Sequence, residues 1–407
     1  MITGIGAITP VGSGRESSWE ALVAGRSGIA RVTSFDPTGM ATQFAGEVQD
    51  FEPSDHFDAK RSRRISRFTA FAVVAAREAV TDAKLCIDQD NHDRVGVVVN
   101  AAVAGFDTIE AATRRVVADT EPSSYFVPYS LANMASCEVA IDLGVHGPVN
   151  ANALACASGL YALLDARRLI LSGEADVVIC GGTDSAIAPV FMSGLASMGA
   201  LSQRNDDPAG ASRPFDQDRD GFVLGEGSVI MVLESAEHAR RRGATPYAAV
   251  SGGALTCDAF HVSAPSPTGE HTAAAIRTAV QRAGITPGDI DYVCAHGTST
   301  KANDSNETKA LRRALGTAAD RIVVSSPKST AGHLLAGAGA LSAMVCALAI
   351  RDGVVPPTIN LDTPDPECDL DYVPHVARRL PVRTTMANAF GFGGQNCVMV
   401  FTAPDRP

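Results

Sequence analysis

The stretch LACASG, residues 154–159, sets one sulfur, Cys156, among small residues just ahead of a nearly all-apolar run. A strand-to-helix junction of that kind leaves backbone N–H groups and the positive end of a helix dipole able to favour an anion. A thiol placed there is expected to have a lowered pKa and to act as a nucleophile. Against this stands the ordinary fate of a lone cysteine, a small buried hydrophobe. Two histidines offer partners. His296 follows the apolar run DYVCA, and residues at the carboxyl ends of strands in open α/β sheets gather into sites; the alternative is a histidine that merely caps a strand end. His333 lies in KSTAGHLLAGAGA, five residues after Lys328. At a helix start its imidazole is expected to stay neutral and to polarise a carbonyl through an N–H. Lys328 and His333 beside an otherwise apolar helix need partners, because unpaired buried charge is costly. The stretch NAFGFGGQN, 388–396, holds three glycines, so the backbone there turns sharply or approaches a ligand closely; its bland reading is a bulge or loop between core segments.

The elements that must position these residues are visible as short β-branched runs between alanine-rich stretches: RVGVVVN (94–100), ADVVICGG (175–182), GSVIMVLES (227–235), IDYVCAHG (290–297), DRIVVSS (320–326) and CVMVF (397–401). Strands separated by helices predict α/β layers with covered sheets. The two halves also echo each other. PVNANAL leads through ACASG into LYALLDARRLIL, and RIVVSSPKST leads through AGH into LLAGAGALSAMVCALAI. Each is a strand, a small-residue turn and a helix apolar on nearly every side, hence buried. A boundary near residue 250 divides the chain into 1–250, with the cysteine, and 251–407, with the histidines and the lysine. The polar segment 204–221, RNDDPAGASRPFDQDRDG, is expected to be a long surface loop held by fixed salt bridges. GIGAITPVG near the N-terminus is not a dinucleotide loop, since Pro10 falls where a helix would be starting and no acidic residue follows a second strand at the required distance.

Composition narrows the functional classes. A chain of 407 residues with 45% hydrophobic and 19% charged residues is long enough for a duplicated pair of domains and reads as globular. Its net charge of -11 argues against non-specific nucleic-acid binding. The run KRSRRISR (60–67) is a local exception, carrying five positive charges and no negative one. Nine cysteines without a CxxC pair argue against a zinc knuckle and a disulfide framework. With no basic leader and no uninterrupted apolar run of about 18 residues, a cytoplasmic setting without membrane contact is the expectation.

Taken together and in this order, ACASG, HGTST with ND..ET behind it, KSTAGHLLAGAGA and NAFGFGG resemble the β-ketoacyl-acyl carrier protein synthases, over essentially the whole chain. The resemblance implies a thiolase-like fold of two similar halves in αβαβα layers, acyltransferase activity, and no cofactor beyond the phosphopantetheine that carries the substrates. By motif it makes Cys156 the acyl acceptor, His296 and His333 the paired histidines and Lys328 the lysine that organises them. Phe392 matches a gating phenylalanine whose N–H joins that of Cys156 in an oxyanion hole. Thr298 and Thr300 match threonines that contact the phosphopantetheine arm, and Glu307, grouped with them, matches an acidic residue near Lys328. An acidic acyl carrier protein would be the partner, docked by Arg63, Arg64 and Arg67; a solvated helix face is the bland reading of that run.

Two members of the family compete. PDPECDLDYVP (364–374) and NDSNET resemble the ketosynthase subunits of type II polyketide systems, whereas ACASG and NAFGFGGQN resemble the elongating ketosynthase of fatty-acid synthesis. The expectation is a polyketide ketosynthase for reduced or polyene chains, heterodimeric with a chain-length factor; a fatty-acid homodimer comes second. A non-catalytic chain-length factor would lack the cysteine. A thiolase would need a second catalytic cysteine in the late glycine loop, where Cys397 falls on the following strand instead.

Overall fold

The computed structural model describes residues 1–405. The β-branched runs form two sheets. In the first, β1 (Ile2–Thr9), β2 (Gly12–Ser13), β3 (Val95–Asn100), β4 (Val149–Asn150), β5 (Val177–Asp184) and β6 (Gly227–Glu234) lie in the order β2-β1-β6-β5-β3-β4. In the second, β7 (Ala249–Cys257), β8 (Tyr292–Cys294), β9 (Val323–Ser325), β10 (Thr384–Gly391) and β11 (Gln395–Thr402) lie in the order β9-β8-β10-β11-β7.

The pairing senses repeat between the sheets. From β1 through β6, β5 and β3 to β4 they run antiparallel, antiparallel, parallel, parallel. From β7 through β11, β10 and β8 to β9 they run the same way. The weak sequence echo is therefore a duplicated fold. The chain passes from one sheet to the other between Glu234 and Ala249, so the expected boundary at residue 250 falls one residue inside β7.

Six helices matter to the site: α1 (Arg67–Asp82), α2 (Phe106–Val117), α3 (Ser158–Leu171), α4 (Glu270–Arg282), α5 (Lys301–Leu315) and α6 (Ala336–Asp352). α1 covers the outer face of the first sheet and α4 that of the second, while α3 and α6 lie between the sheets and touch both. Five layers, αβαβα, result. α6 is buried from Ala336 to Ala349 because alanine, glycine and leucine surround it on every side. α3 is buried only in its first turns; its tail emerges, with Leu171 67% exposed, so the expectation of a wholly buried helix fails there.

Glycine lets the middle layer close. A Cβ on Gly159 of α3 would lie 2.0 Å from the carbonyl oxygen of Ala336, and one on Gly339 of α6 would lie 2.6 Å from the amide nitrogen of Leu160. Backbone meets backbone at this crossing, which carries the nucleophile turn on one side and the histidine turn on the other.

The segment 204–221 is a surface loop only in part: Asn205 to Asp207, Gln217, Asp218 and Asp220 are exposed, as expected. Gly210 to Asp216 and Arg219 are buried, and Arg219 is the largest fully buried side chain. Its guanidinium is offset by an ion pair to Asp365 at 2.6 Å and by donation to the carbonyl oxygens of Asp216, Thr300 and Lys301. The salt bridges expected from its composition are present, Arg213 with Asp216 and Asp362 among them. They face inward because the segment is clamped against the second half.

Candidate functional site

Cys156 lies in the turn between β4 and α3. Ala155 before it adopts a left-handed backbone, φ +46°, a conformation that costs a non-glycine residue about 1–2 kcal/mol. The Ser158 hydroxyl holds the turn, accepting the Leu154 N–H at 2.7 Å and donating to the Ala155 carbonyl at 2.7 Å. Two backbone N–H groups point at the sulfur, that of Cys156 itself and that of Phe392. Phe392 sits in the three-residue turn joining β10 to β11, whose register pairs Gly391 with Gln395. Gly391 packs so close to the nucleophile turn that a Cβ there would lie 2.6 Å from the Leu154 carbonyl oxygen. The Phe392 ring is 39% exposed at the mouth of the site.

The Cys156 sulfur also packs against an apolar cluster that includes Ala102, Val103, Phe191, Leu195, Phe222 and Leu335. Burial pushes the thiol up to about 11; the Lys328 ammonium and the two N–H groups act the other way, and the Asp184 carboxylate adds to the rise. The lowered pKa expected from the helix start is therefore corrected. Desolvation is the largest influence on the sulfur and acts upward.

His296 follows β8 and His333 precedes α6; both are buried, with ring centroids 5.5 Å apart and planes at 84°. His333 Nδ1 accepts the Leu335 N–H at 3.2 Å, which assigns its proton to Nε2. That Nε2 is buried without a hydrogen-bond partner. Burial, and then Lys328, hold both imidazoles well below the usual range, so both are neutral near pH 7.

Lys328 donates from Nζ to the His296 carbonyl oxygen at 2.6 Å, and burial lowers its own pKa. Glu307 feels the lysine through space, but its oxygens are committed elsewhere. Oε1 accepts from the His296 N–H at 2.8 Å and from Asn388 Nδ2 at 2.9 Å, and Oε2 from the Gly297 N–H at 2.8 Å. It is a brace for the His296 turn, and its grouping with substrate-contacting residues is corrected on that ground. Thr298 and Thr300 share a hydroxyl contact of 2.9 Å, and Thr300 also caps α5.

The basic run divides. Arg67 forms a 2.8 Å ion pair with buried Glu226 and donates to the Val48 and Phe51 carbonyls, which removes it as a docking residue. Arg61 is likewise bound inward, by Glu138 and Asp142. Arg63 is exposed, and the Arg64 guanidinium lies 4.9 Å from the centre of the Tyr125 ring.

Sequence reasoning passed over Asp184. It ends β5, is fully buried, and accepts four backbone N–H groups: Ala102 at 3.0 Å, Val103 at 3.1 Å, Ala104 at 3.0 Å and Ala336 at 2.8 Å. The only signal was a carboxylate directly after a long buried run, VVICGGTD. Cys397, the alternative thiolase nucleophile, is fully buried on β11, and burial pushes its thiol up to about 12.

Comparison with known proteins agrees with this geometry. Residues 1–239 match the family described as Beta-ketoacyl synthase, N-terminal domain, and residues 247–362 match Beta-ketoacyl synthase, C-terminal domain. The 3-oxoacyl-[acyl-carrier-protein] synthase 2 of Synechocystis sp. is 48% identical over 404 residues, covering 98% of this chain and 97% of the relative. The protein of the same name from Staphylococcus aureus (strain COL) is 45% identical with the same coverage. Among solved structures, the ishigamide ketosynthase/chain length factor superimposes with a TM-score of 0.92 at 36% identity, covering 99% of this chain and 98% of that one. The ketosynthase of the AntDE:AntF complex, a type II polyketide synthase with its acyl-carrier protein, gives 0.91 at 33% identity with the same coverage.

Proposed function

The chain belongs to the β-ketoacyl synthase family, and from that premise we propose that it lengthens hydrocarbon acyl chains, held on Cys156, with malonyl units delivered by an acyl carrier protein. In the first step the Cys156 sulfur bonds to the acyl carbonyl carbon, the carrier sulfur leaves, and the cysteine proton ends on the departing thiol. The tetrahedral oxyanion is held by the N–H groups of Cys156 and Phe392. In the second step malonyl thioester loses carbon dioxide, and the electron pair of the broken bond becomes an enolate. Neutral imidazole donors suit that oxygen, and the unpartnered Nε2–H of His333 is one of them. The enolate carbon attacks the acyl-Cys156 carbonyl, the carbon–sulfur bond breaks, and the Cys156 thiolate takes up one proton from solvent. Thr298 and Thr300 stand at the polar end of the site, where the pantetheine arm would enter.

The observation that carries the chain type is the apolar wall at Cys156. Cys156 packs against an apolar cluster that includes Leu195, Phe222 and Leu335, surroundings that suit a hydrocarbon chain better than a poly-β-ketone, whose carbonyls are costly to bury without partners. A saturated or polyene chain carries no such cost. The identity of 48% with a 3-oxoacyl-[acyl-carrier-protein] synthase 2 supports the first reading, and the likeness to the ishigamide ketosynthase/chain length factor supports the second, a ketosynthase with a chain-length factor as partner.

Reconstitution with malonyl and acyl carriers, followed by intact-protein mass spectrometry, tests both levels. Acyl mass on Cys156 and a product two carbons longer are expected. Wild-type condensation by Cys156→Ala would overturn the mechanism, and preferential loading of poly-β-ketoacyl carriers would overturn the chain type.

A further inference from the structure

Asp184 occupies a place that the chemistry above does not use. Its four donors come from two separate segments. Ala102, Val103 and Ala104 form the turn after β3, in which Ala104 takes a left-handed backbone of φ +54°. Ala102 and Val103, like Cys156, pack against the apolar cluster that includes Leu195, Phe222 and Leu335. Ala336 opens α6, directly after Leu335, whose backbone is also left-handed (φ +52°) and whose N–H fixes the tautomer of His333. All four donors are backbone amides, so side-chain exchange elsewhere cannot replace the acceptor. Both strained residues lie in turns that the carboxylate holds.

We propose that Asp184 is a positioning residue that fastens the acyl-facing wall and the His333 turn into one unit, so that a chain on Cys156 is registered at the histidine that meets malonyl. An acyl chain pressing on Val103 displaces the turn 102–104. Because both carboxylate oxygens are shared out, one to Val103 and Ala104, the other to Ala102 and Ala336, the displacement reaches the start of α6. The two halves of the reaction are thereby coupled through one side chain. The proposal rests on the reading that Cys156 carries the acyl group.

The test has two independent arms. In the first, Asp184→Asn keeps the volume but leaves one oxygen for four amides. Condensation kcat is expected to fall at least about tenfold with little change in the carrier KM. Loss of the negative charge should also move the alkylation of Cys156 to lower pH, which checks that the carboxylate faces the thiol as placed, while the kcat-against-KM split reads its positioning role. The charges facing that thiol are Lys328 and Asp184, and Asp184→Glu should return the profile to its wild-type position. A folded asparagine variant with wild-type kcat and an unmoved profile overturns the proposal.

The second arm needs no variant. Hydrogen exchange on the wild-type protein, unloaded and acylated, should change in the segments 101–104 and 333–337 together. If the first segment responds and the second does not, the coupling is wrong. If acylated protein cannot be formed at Cys156 at all, the underlying reading fails instead, and intact mass distinguishes the two.

Discussion

Lys328 Nζ and the carbonyl oxygen of His296 are 2.6 Å apart, a buried ammonium spent on the backbone of a residue whose ring it keeps neutral. Its charge also opposes the burial that raises the Cys156 thiol. Lys328→Ala is therefore expected to shift Cys156 alkylation to higher pH and to let His296 and His333 protonate at higher pH than in the wild type. Malonyl decarboxylation should fall about 100-fold or more, the usual scale for losing a preorganised charge. Decarboxylation by the variant at the wild-type rate would remove the lysine from the mechanism.

The thiol itself can be titrated. With Cys156 pushed up to about 11, its thiolate fraction rises about tenfold per unit from pH 7 to 9, and peptide-resolved iodoacetamide labelling should follow without a plateau. A plateau near pH 8.5 would mean that burial is not the dominant influence on the sulfur.

The histidines make stability depend on pH with a definite sign. Each imidazole titrates well below 6.5 in the folded chain. Between that depressed value and 6.5 the unfolded chain binds more protons, so stability is fully present above 6.5 and is lost as pH falls below it. Melting temperature should decline from pH 7 to pH 5, less steeply in His333→Asn. An identical slope in the variant would refute the assignment.

Arg63 and Arg64 differ from Arg67 in what they touch. Reversing the first two should raise the carrier KM in a salt-dependent way with little change in melting. Arg67→Glu should instead destabilise the fold by about 3 kcal/mol, because Glu226 is left buried and unpaired. Equal effects of both changes on KM and on melting would show that the run is not divided as described.

Backbone contact between α3 and α6 predicts a severe defect for one small change. Gly159→Ala should cost about 3 kcal/mol or more, since the new methyl meets the Ala336 carbonyl oxygen. Gly173→Ala meets nothing within 4 Å and should cost only about 1 kcal/mol for its left-handed φ of +77°. A melting curve for each variant decides.

What could be read from the chain beforehand follows a physical line. Cys156, His296, Lys328 and His333 stood out in small-residue turns and Phe392 through the family resemblance, and the structure brings these residues together. The strands were legible from β-branched runs, though β1 was noticed only as a discarded glycine motif. Gly4 and Gly6 are there because α1 lies on the strand so closely that a Cβ would fall 2.1 Å from the carbonyl oxygen of Ala79 or 2.0 Å from that of Ala75. The sign of the Cys156 shift was not legible, since the apolar wall that sets it is assembled from residues 32 to 335. Asp184 and Arg219 escaped for the same reason: a charge between threonine and serine, or between two aspartates, reads as surface until tertiary contacts show what surrounds it.

The segment 204–221 belongs to the first half by sequence, where Asn205 bonds to Ala41 and Gln43, and it reaches the second half as well. The Ser212 hydroxyl donates to the Lys328 carbonyl at 2.7 Å, the Arg213 N–H to the Ser299 hydroxyl at 2.9 Å, and the Phe215 N–H to Asp304 at 2.9 Å. Chimeras that exchange halves between relatives at the inter-sheet connection would separate that strap from the turns it was matched to. Because Asn205 is tied to Ala41 and Gln43 as well, a functional recombinant has to match the strap to both halves, so an exchange at the linker alone is expected to fail unless the strap contacts are matched too.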